Sequence, residues 1–206
     1  MTEKKRVAVL ISGRGSNMTA LIEAAKAPDY PAAIVLVLSN VPDAPGLHHA
    51  RRDGIATGVI DHRLFDANRR AFERVLNAEL HAQRIDIVCL AGFMRLLTPW
   101  FVMRWSGRLL NIHPALLPQF KGLHTHSRAL AAGVKEHGAT VHFVVPEMDA
   151  GPIILQAAVP VIAGDTEATL AARVLEVEHR IYPQGLRLVA EGRAALPVGA
   201  GDINNA

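Results

Sequence analysis

Short apolar segments alternate with amphipathic ones along the N-terminal half of the chain, and this alternation restricts the fold more than any other feature. The fourth apolar segment is near-continuously hydrophobic, which is typical of a parallel strand covered on both faces. Strands that alternate with helices indicate right-handed crossovers and a doubly wound sheet. The predicted strands are Arg6–Ile11, Ala33–Leu38, Ala56–Ile60 and Ile85–Ala91, and the predicted helices are Met18–Lys26, Leu47–Arg52 and Asp66–Gln83.

The pattern changes in the second half, where loop-rich sequence and a tight Met148–Gly151 turn separate the apolar segments. We predict an α/β fold: a single doubly wound domain whose N-terminal parallel, Rossmann-like half is continued by an antiparallel C-terminal hairpin, with helices on both faces. The domain is assigned to residues 1–193, and residues 194–206, which are small and polar, are predicted to form a flexible tail. The later strands are predicted at Leu109–His113, Ala139–Val145 and Ile153–Val161, and the closing helix at Thr166–Arg187.

Composition narrows the class of partner. The 206 residues fit one domain with a substantial core. Net charge is +3, from 22 basic and 19 acidic side chains, and no basic run is interleaved with aromatics, which argues for small anionic substrates rather than nucleic acid. The apolar run Ala32–Leu38 is too short to span a bilayer. A lone cysteine, Cys89, cannot form an intramolecular disulfide, which fits a reducing cytoplasm.

The most specific chemical signal is the sequence Asn111-Ile112-His113-Pro114 at the end of a predicted strand. Residues two apart on a strand point to the same face, so Asn111 and His113 are expected to project side by side. An amide donor beside an imidazole suits acyl transfer, because one group stabilises a developing oxyanion while the other moves a proton. Asp149, in the turn after the next strand, would favour the imidazolium if it reached His113. Taken alone, His113 could be an ordinary core histidine, and Asp149 an ordinary turn residue.

The segment 12–17, Ser-Gly-Arg-Gly-Ser-Asn, joins the first strand to the first helix. Its glycines let a ligand approach the backbone, and a helix N-terminus offers free N–H groups and a positive dipole. Met18 replaces the third glycine of the dinucleotide fingerprint, and the second strand ends at Asn40 without the acid that binds a ribose. We therefore predict a phosphate monoester site with contacts from Ser16 and Asn17. The alternative is a tight turn that binds nothing.

A group of histidines in the second half could indicate a metal site. No acidic or cysteine partner lies at ligand spacing from them, so no metal is expected. The segment Pro118–His126 is interpreted instead as a mobile lid over the substrates. The histidines are His124, His126, His137 and His142.

Seven segments together resemble one family, the phosphoribosylglycinamide formyltransferases, which are the folate-dependent transformylases of purine synthesis. The similarity runs from about Val7 to Arg193 in the family's order. In that family a formyl group passes from 10-formyltetrahydrofolate to the glycine amine of glycinamide ribonucleotide, without a metal. The segments are Leu10–Asn17, Leu90–Leu97, Asn111–Pro118, Gly122–His126, His137–Phe143, Met148–Pro152 and Glu178–Pro183.

The resemblance implies a role for each matching position. It implies the two small molecules as partners, a monomer or homodimer, a cytoplasmic location, and neither nucleic acid nor membrane as partner. It places Asn111, His113 and Asp149 in the catalytic trio, Gly15, Ser16 and Asn17 at the ribonucleotide phosphate, and Glu178 near the ribose. Residues Arg69, Met94, Arg95 and Leu97 are expected to line the folate site, with Val144, Val145 and the rest of that loop over the pterin.

Three other functions fit parts of the pattern. Formyltetrahydrofolate deformylase uses similar Asn–His–Asp chemistry, but such enzymes usually carry an N-terminal regulatory domain and lack a phosphate loop such as Gly15–Asn17. Methionyl-tRNA formyltransferase needs a C-terminal tRNA-binding domain, for which few residues follow Arg193. A nucleotide-binding module that has lost catalysis predicts substitution at Asn111, His113 or Asp149, and all three are present.

Overall fold

The computed structural model describes residues 3–66 and 68–196. Within these residues, seven strands form one sheet, and six α-helices and a short 3-10 helix at His62–Phe65 surround it. The strands are β1 Lys5–Ile11, β2 Ala32–Ser39, β3 Ala56–Val59, β4 Ile87–Leu90, β5 Leu109–His113, β6 Glu136–Phe143 and β7 Ile153–Pro160. The helices are α1 Ser16–Ala25, α2 Pro45–Arg52, α3 Arg69–Ala82, α4 Pro99–Arg104, α5 Thr125–Ala131 and α6 Glu167–Ala190.

The sheet has the order β3-β2-β1-β4-β5-β6-β7. Strands β1 to β5 pair in parallel, whereas β6 pairs antiparallel with both β5 and β7. This confirms the predicted α/β fold class. The chain order reverses beside β1, and ligands of open α/β sheets bind at such a switch point, outside the carboxyl ends of the strands.

Side chains on the two faces of the sheet form two cores. Along β1, Val7, Val9 and Ile11 enter the core under α1, α2, α5 and α6, whereas Ala8 and Leu10 enter the core under α3 and α4. All five are fully buried. Full burial of a side chain such as leucine stabilises the fold by about 1.5–3 kcal/mol, so both faces of the sheet contribute.

Tyr182 on α6 ties the structure together near the carboxyl edge of the sheet. Its buried hydroxyl can donate to the carbonyl of Leu90, at 2.9 Å, or of Leu110, at 3.2 Å. Leu90 is the last residue of β4 and Leu110 the second residue of β5, so the contact fixes the two neighbouring strands that lead into the predicted folate and catalytic residues. Burial raises the pKa of Tyr182 well above its usual value, so the hydroxyl stays protonated.

Several predicted boundaries were wrong. Helices α4 and α5 and the 3-10 helix were not predicted, because one or two turns carry little periodicity and are stabilised mainly by packing. The helix predicted from Asp66 begins at Arg69, since Asp66 has a left-handed φ of 45° and Asn68 caps the helix. The end of the Pro118–His126 segment belongs to α5, which starts at Thr125; motion of this segment stays a prediction.

Strand β6 is shifted from its predicted position. It was expected at 139–145 but spans Glu136–Phe143, because its polar first residues pair with the end of β7, with Glu136 opposite Pro160. The register shifts between Val141 and His142, just before the strand ends at Phe143.

The start of the predicted tail lies against the fold. The N–H of Ala194 donates to the carbonyl of Leu188 at 3.1 Å, and Leu196 packs on the core beneath α6. Residues 197–206 lie outside the described part of the chain, so the domain boundary at residue 193 and the flexible tail stay predictions. None of the helices described is both long enough and apolar enough to cross a bilayer.

Candidate active site

Asn111 and His113 lie on the same side of β5, because the intervening Ile112 enters the opposite core. The strand ends at His113, as expected from the proline that follows. His113 is 5% exposed, and Asn111 is half-buried. The side chains therefore stand together at the carboxyl edge of the sheet, in partly desolvated surroundings where hydrogen bonds are stronger than in water.

His142 is a member of this cluster that the sequence did not reveal. It lies directly opposite Asn111 in the β5–β6 register, and Asn111 Nδ2 is 3.2 Å from His142 Nε2. His142 Nδ1 donates to the carbonyl of Phe143 at 2.9 Å, so Nε2 is left to accept from the amide. Burial lowers the pKa of His142 below 6.5, which keeps this ring neutral near pH 7. Only the register of an antiparallel pair places it here.

The amide of Asn111 is oriented by that contact. One Nδ2 hydrogen is directed at His142, and the second remains available to a ligand. The 3.8 Å separation between His142 Nε2 and Asp149 Oδ1 is not an ion pair, because a neutral ring with its hydrogen on Nδ1 presents only a lone pair there. His142 therefore acts on the amide rather than on the carboxylate.

Asp149 reaches His113 from the turn after β6. Its backbone has a left-handed φ of 50°, and its Oδ2 accepts the N–H of Gly122 at 2.8 Å. The same oxygen lies 3.5 Å from Nδ1 of His113. The structure thus brings together the three residues of the expected trio, with the carboxylate held by a backbone N–H.

The second nitrogen of His113 also has an acceptor. Its Nε2 is 3.0 Å from the carbonyl of Phe120, which can only accept, so Nε2 carries a hydrogen. Nδ1, which faces Asp149, then carries a hydrogen only when the ring is cationic. The arrangement accommodates an imidazolium with an acceptor at each nitrogen, which is suitable for holding and moving a proton.

The predicted phosphate loop opens α1 with a left-handed residue. Gly15 has φ 73° and is the N-cap, and no side chain caps the helix. A Cβ at Gly15 would lie 3.1 Å from Met18 Cε and 3.2 Å from Gly46 Cα, so the loop is tightly packed against α2. The first N–H groups of a helix have no partner within it, and Ser16 is exposed beside them. This end of α1 can accept an anion.

Asn17 and Glu178 meet beneath that loop. Asn17 Nδ2 donates to Glu178 Oε2 at 2.7 Å, and both side chains are buried. Burial raises the pKa of Glu178 above 4.5, while the bond from Asn17 opposes the shift. Asn17 on α1 and Glu178 on α6, both predicted to bind the ribonucleotide, are therefore in direct contact.

The residues expected at the folate site occupy the neighbouring rim. The N–H of Met94 donates to Ser12 Oγ at 2.8 Å, which links the loop after β4 to the loop after β1. Leu97 and Val144 pack at the edge of the core under α3 and α4. Val145 is half-buried, Arg95 carries a buried Nε, and Arg69 is exposed at the first residue of α3. Among the described contacts, none joins Arg69 to the other expected folate residues.

Two of the other histidines considered for a metal site, His126 and His137, pack against each other. The rings of His126 and His137 meet edge-on with centroids 5.2 Å apart, and burial lowers the pKa of His137 to about 4. His124 is exposed at the N-cap of α5. Within residues 3–66 and 68–196, no group of three or more His, Cys, Asp or Glu side chains is arranged to hold a metal.

Comparison with known proteins agrees with the fold and identifies a family. The family model described as formyl transferase matches residues 5–186. The phosphoribosylglycinamide formyltransferase of Escherichia coli (strain K12) is 51% identical over 187 residues, covering 91% of this chain and 88% of that protein. The human trifunctional purine biosynthetic protein adenosine-3 is 53% identical over 94% of this chain, but the chain spans only 19% of that protein.

Solved structures give the same result. The phosphoribosylglycinamide formyltransferase from Brucella melitensis has a TM-score of 0.88 and 53% identity, covering 94% of this chain and 100% of that one. Glycinamide ribonucleotide transformylase 1 from Symbiobacterium toebii has a TM-score of 0.90 and 46% identity, covering 94% of this chain and 91% of that one. By sequence and by fold, the chain belongs to the formyl transferase family, in its phosphoribosylglycinamide formyltransferase group.

Proposed function

We propose that this protein transfers the formyl group of 10-formyltetrahydrofolate to the glycine amine of glycinamide ribonucleotide, a step of purine biosynthesis. The observation that carries the proposal is the convergence of Asn111, His113 and Asp149 beside an anion-accepting loop at one edge of the sheet. The Escherichia coli relative, of which the chain covers 88%, bears the name of this activity.

The ribonucleotide is assigned to the side of α1. Its phosphate would bind the backbone N–H groups at Gly15, Ser16 and Asn17, with the Ser16 hydroxyl as a further donor. Glu178, fixed by Asn17, would accept from a ribose hydroxyl. This places the glycine amine toward the end of β5.

The folate is assigned to the rim formed by the loops after β4 and β6. Met94 and Leu97 offer apolar surface, and Val144 and Val145 would cover the pterin. The cations Arg69 and Arg95 would meet the carboxylates at the other end of the donor. The link between Met94 and Ser12 keeps the two substrate sites in fixed relation.

The reaction follows from the trio. The amine attacks the formyl carbon, and the C=O becomes a tetrahedral centre with an oxyanion. The second Nδ2 hydrogen of Asn111 would donate to that oxygen, and one such preorganised donor contributes about 3–4 kcal/mol. In the free protein the Nε2 hydrogen of His113 is directed at the carbonyl of Phe120. With the substrates bound, it would donate to the substrate oxygen instead.

Proton transfer completes the step. The attacking amine must lose a proton and the folate nitrogen must gain one as its bond to the formyl carbon breaks. Starting as the imidazolium, with Asp149 at Nδ1, His113 can give its Nε2 proton to the folate nitrogen and take at Nε2 the proton that the amine loses. The trio contains no serine or cysteine, and Cys89 is fully buried on β4. We therefore propose direct transfer without a covalent enzyme intermediate.

The deciding experiment measures both fates of the formyl group. Purified protein is incubated with the donor, with and without glycinamide ribonucleotide, and donor loss and formylated product are followed together. We expect donor loss only with the ribonucleotide, in equal amount to the product, and no effect of a chelator. Donor loss without the ribonucleotide would identify a deformylase, and no loss in either case would identify a non-catalytic module. A cytoplasmic location and independence of metal and nucleic acid remain predictions.

A further inference from the structure

One arginine of α5 is bonded to the stretch of chain that faces the proposed catalytic pair. Arg128 is the fourth residue of α5, and long side chains on a helix extend toward its N-terminus, so this one reaches the residues before the helix. Its Nη1 donates to the carbonyls of Lys121, at 2.6 Å, and Leu123, at 3.3 Å. Its guanidinium carbon lies 5.7 Å from the centre of the Phe120 ring. Arg128 thus contacts three of the four residues of segment 120–123.

Segment 120–123 supplies the main-chain groups that hold both titratable residues of the trio. The carbonyl of Phe120 is 3.0 Å from Nε2 of His113. The N–H of Gly122 donates to Asp149 Oδ2 at 2.8 Å, and that same oxygen lies 3.5 Å from Nδ1 of His113. A displacement of this one segment would therefore change the orientation of the imidazole and of the carboxylate together.

The backbone here has a conformation that needs support. Phe120 has a left-handed φ of 53°, and His124, directly after the segment, has a left-handed φ of 57°. Left-handed backbone is disfavoured for a residue with a Cβ, and it persists where surrounding contacts hold it. On the inner side the buried ring of His137 meets Phe120 edge-on, with centroids 5.7 Å apart. On the outer side the contact comes from Arg128, which is exposed.

The donors of Arg128 are directed at main chain rather than at an acid. Within residues 3–66 and 68–196, no carboxylate forms an ion pair with its guanidinium. A guanidinium carries several N–H donors in one plane, so a single side chain can hold two carbonyls and cover an aromatic ring at once. A shorter side chain with fewer donors cannot replace all three contacts.

We propose that Arg128 is a positioning residue of the active site: it holds segment 120–123, whose carbonyl and N–H groups fix the orientations of His113 and Asp149. The inference rests on the proposed function for its effect on turnover. Arg128 lies outside both proposed substrate sites, so its loss should lower kcat and leave each KM nearly unchanged. Proton transfer depends on the geometry of the groups that carry it, which is the property that Arg128 controls.

The first test is the steady-state kinetics of Arg128→Gln. We expect kcat to fall about tenfold while the KM of each substrate stays within about twofold, because a small misplacement of reacting groups slows the chemical step. In a background of Asp149→Asn, the same change should lower kcat by no more than about twofold, since residues that act through one another have non-additive effects.

Arg108→Gln is the matched control. Arg108 is also exposed, donates to a main-chain carbonyl, that of Arg104 at 3.1 Å, and covers an aromatic ring, that of Trp105 at 4.7 Å. It lies just before β5, at the end of that strand opposite His113. This control should keep the kcat and both KM values of the unmodified protein.

A second readout needs no turnover. Amide hydrogen exchange at Gly122, whose N–H is held by Asp149, should be about tenfold faster in Arg128→Gln and unchanged in Arg108→Gln. An unchanged kcat, a fully additive double variant or an unchanged exchange rate at Gly122 would overturn the inference. A raised KM with an unchanged kcat would also overturn it, by assigning Arg128 to substrate binding. If the unmodified protein transfers no formyl group, only the proposed function is overturned, and the exchange rate still decides whether Arg128 holds the segment.

Discussion

The phosphate loop and the catalytic cluster lie at the same edge of the sheet but are built in different ways. The loop uses six consecutive residues, 12–17, and its shape depends on the left-handed conformation of Gly15. The cluster joins Asn111 on β5, His142 on β6 and Asp149 in the turn that follows. One site depends on local backbone conformation, and the other depends on strand register.

This difference determines how each site can be damaged. A change in the loop acts on a few neighbouring N–H groups, so binding of one substrate should respond. A change in the β6–β7 turn alters the distance between residues from separate strands, so turnover should respond. The predictions below test this contrast from the largest expected effect to the smallest.

Asp149→Asn should reduce kcat by about 10²–10⁴-fold, because proton transfer by a positioned side chain contributes that much. Asparagine can still accept the N–H of Gly122, so the turn and the binding of both substrates should be retained. Steady-state kinetics and calorimetry measure the two effects. Glu147→Gln is the control, since that exposed carboxylate pairs with Lys121, at 3.5 Å. If Asp149→Asn keeps full turnover, Asp149 is merely a turn residue.

Gly151→Ala should damage both stability and turnover. A Cβ there would lie 1.7 Å from the carbonyl oxygen of Phe143, so the chain around the turn must move and carry Asp149 away from His113. Overpacking of this kind costs about 1–3 kcal/mol, which lowers Tm by about 2–12 °C for a chain of this length. Thermal unfolding and kcat at low temperature give the readouts. Gly13→Ala, with no atom within 4 Å of the added Cβ, should leave Tm nearly unchanged.

Gly15→Ala should affect the other site. The left-handed φ of 73° costs a residue with a Cβ about 1–2 kcal/mol, and the added atom also presses on Met18 and Gly46. We expect a raised KM for the ribonucleotide, an unchanged KM for the folate donor and a modest loss of Tm. Equal weakening of both substrates would contradict a separate phosphate site.

Glu178→Gln should stabilise the fold while weakening ribonucleotide binding. Burial raises the folded-state pKa of Glu178 above 4.5, so the buried carboxylate lowers the free energy of unfolding. This destabilisation is complete at neutral pH and disappears as the pH falls through the folded-state pKa. The variant should therefore have a higher Tm than the unmodified protein at pH 7. The difference should vanish below the unfolded pKa. A lower Tm at pH 7 would show that the charge itself stabilises the contact with Asn17.

The sequence predicted much of the parallel half because each strand there is a short apolar run flanked by turn residues. It predicted less of the segment between β4 and β6, where α4 and α5 are too short to show a period. Strand β6 was misplaced because its first residues, Glu136 and His137, are polar but still pair with β7. His142 could not be assigned, since nothing local indicates which residue faces Asn111.

The sequence by itself determined the fold class, the end of β5 at His113, and the same-face placement of Asn111 and His113. These depend on periodicity and on backbone restrictions at glycine and proline, which act over a few residues. Only the tertiary structure decided that His142 orients Asn111 and that Gly122 holds Asp149. Such contacts join segments far apart in the chain, and strand register and helix packing set their distances.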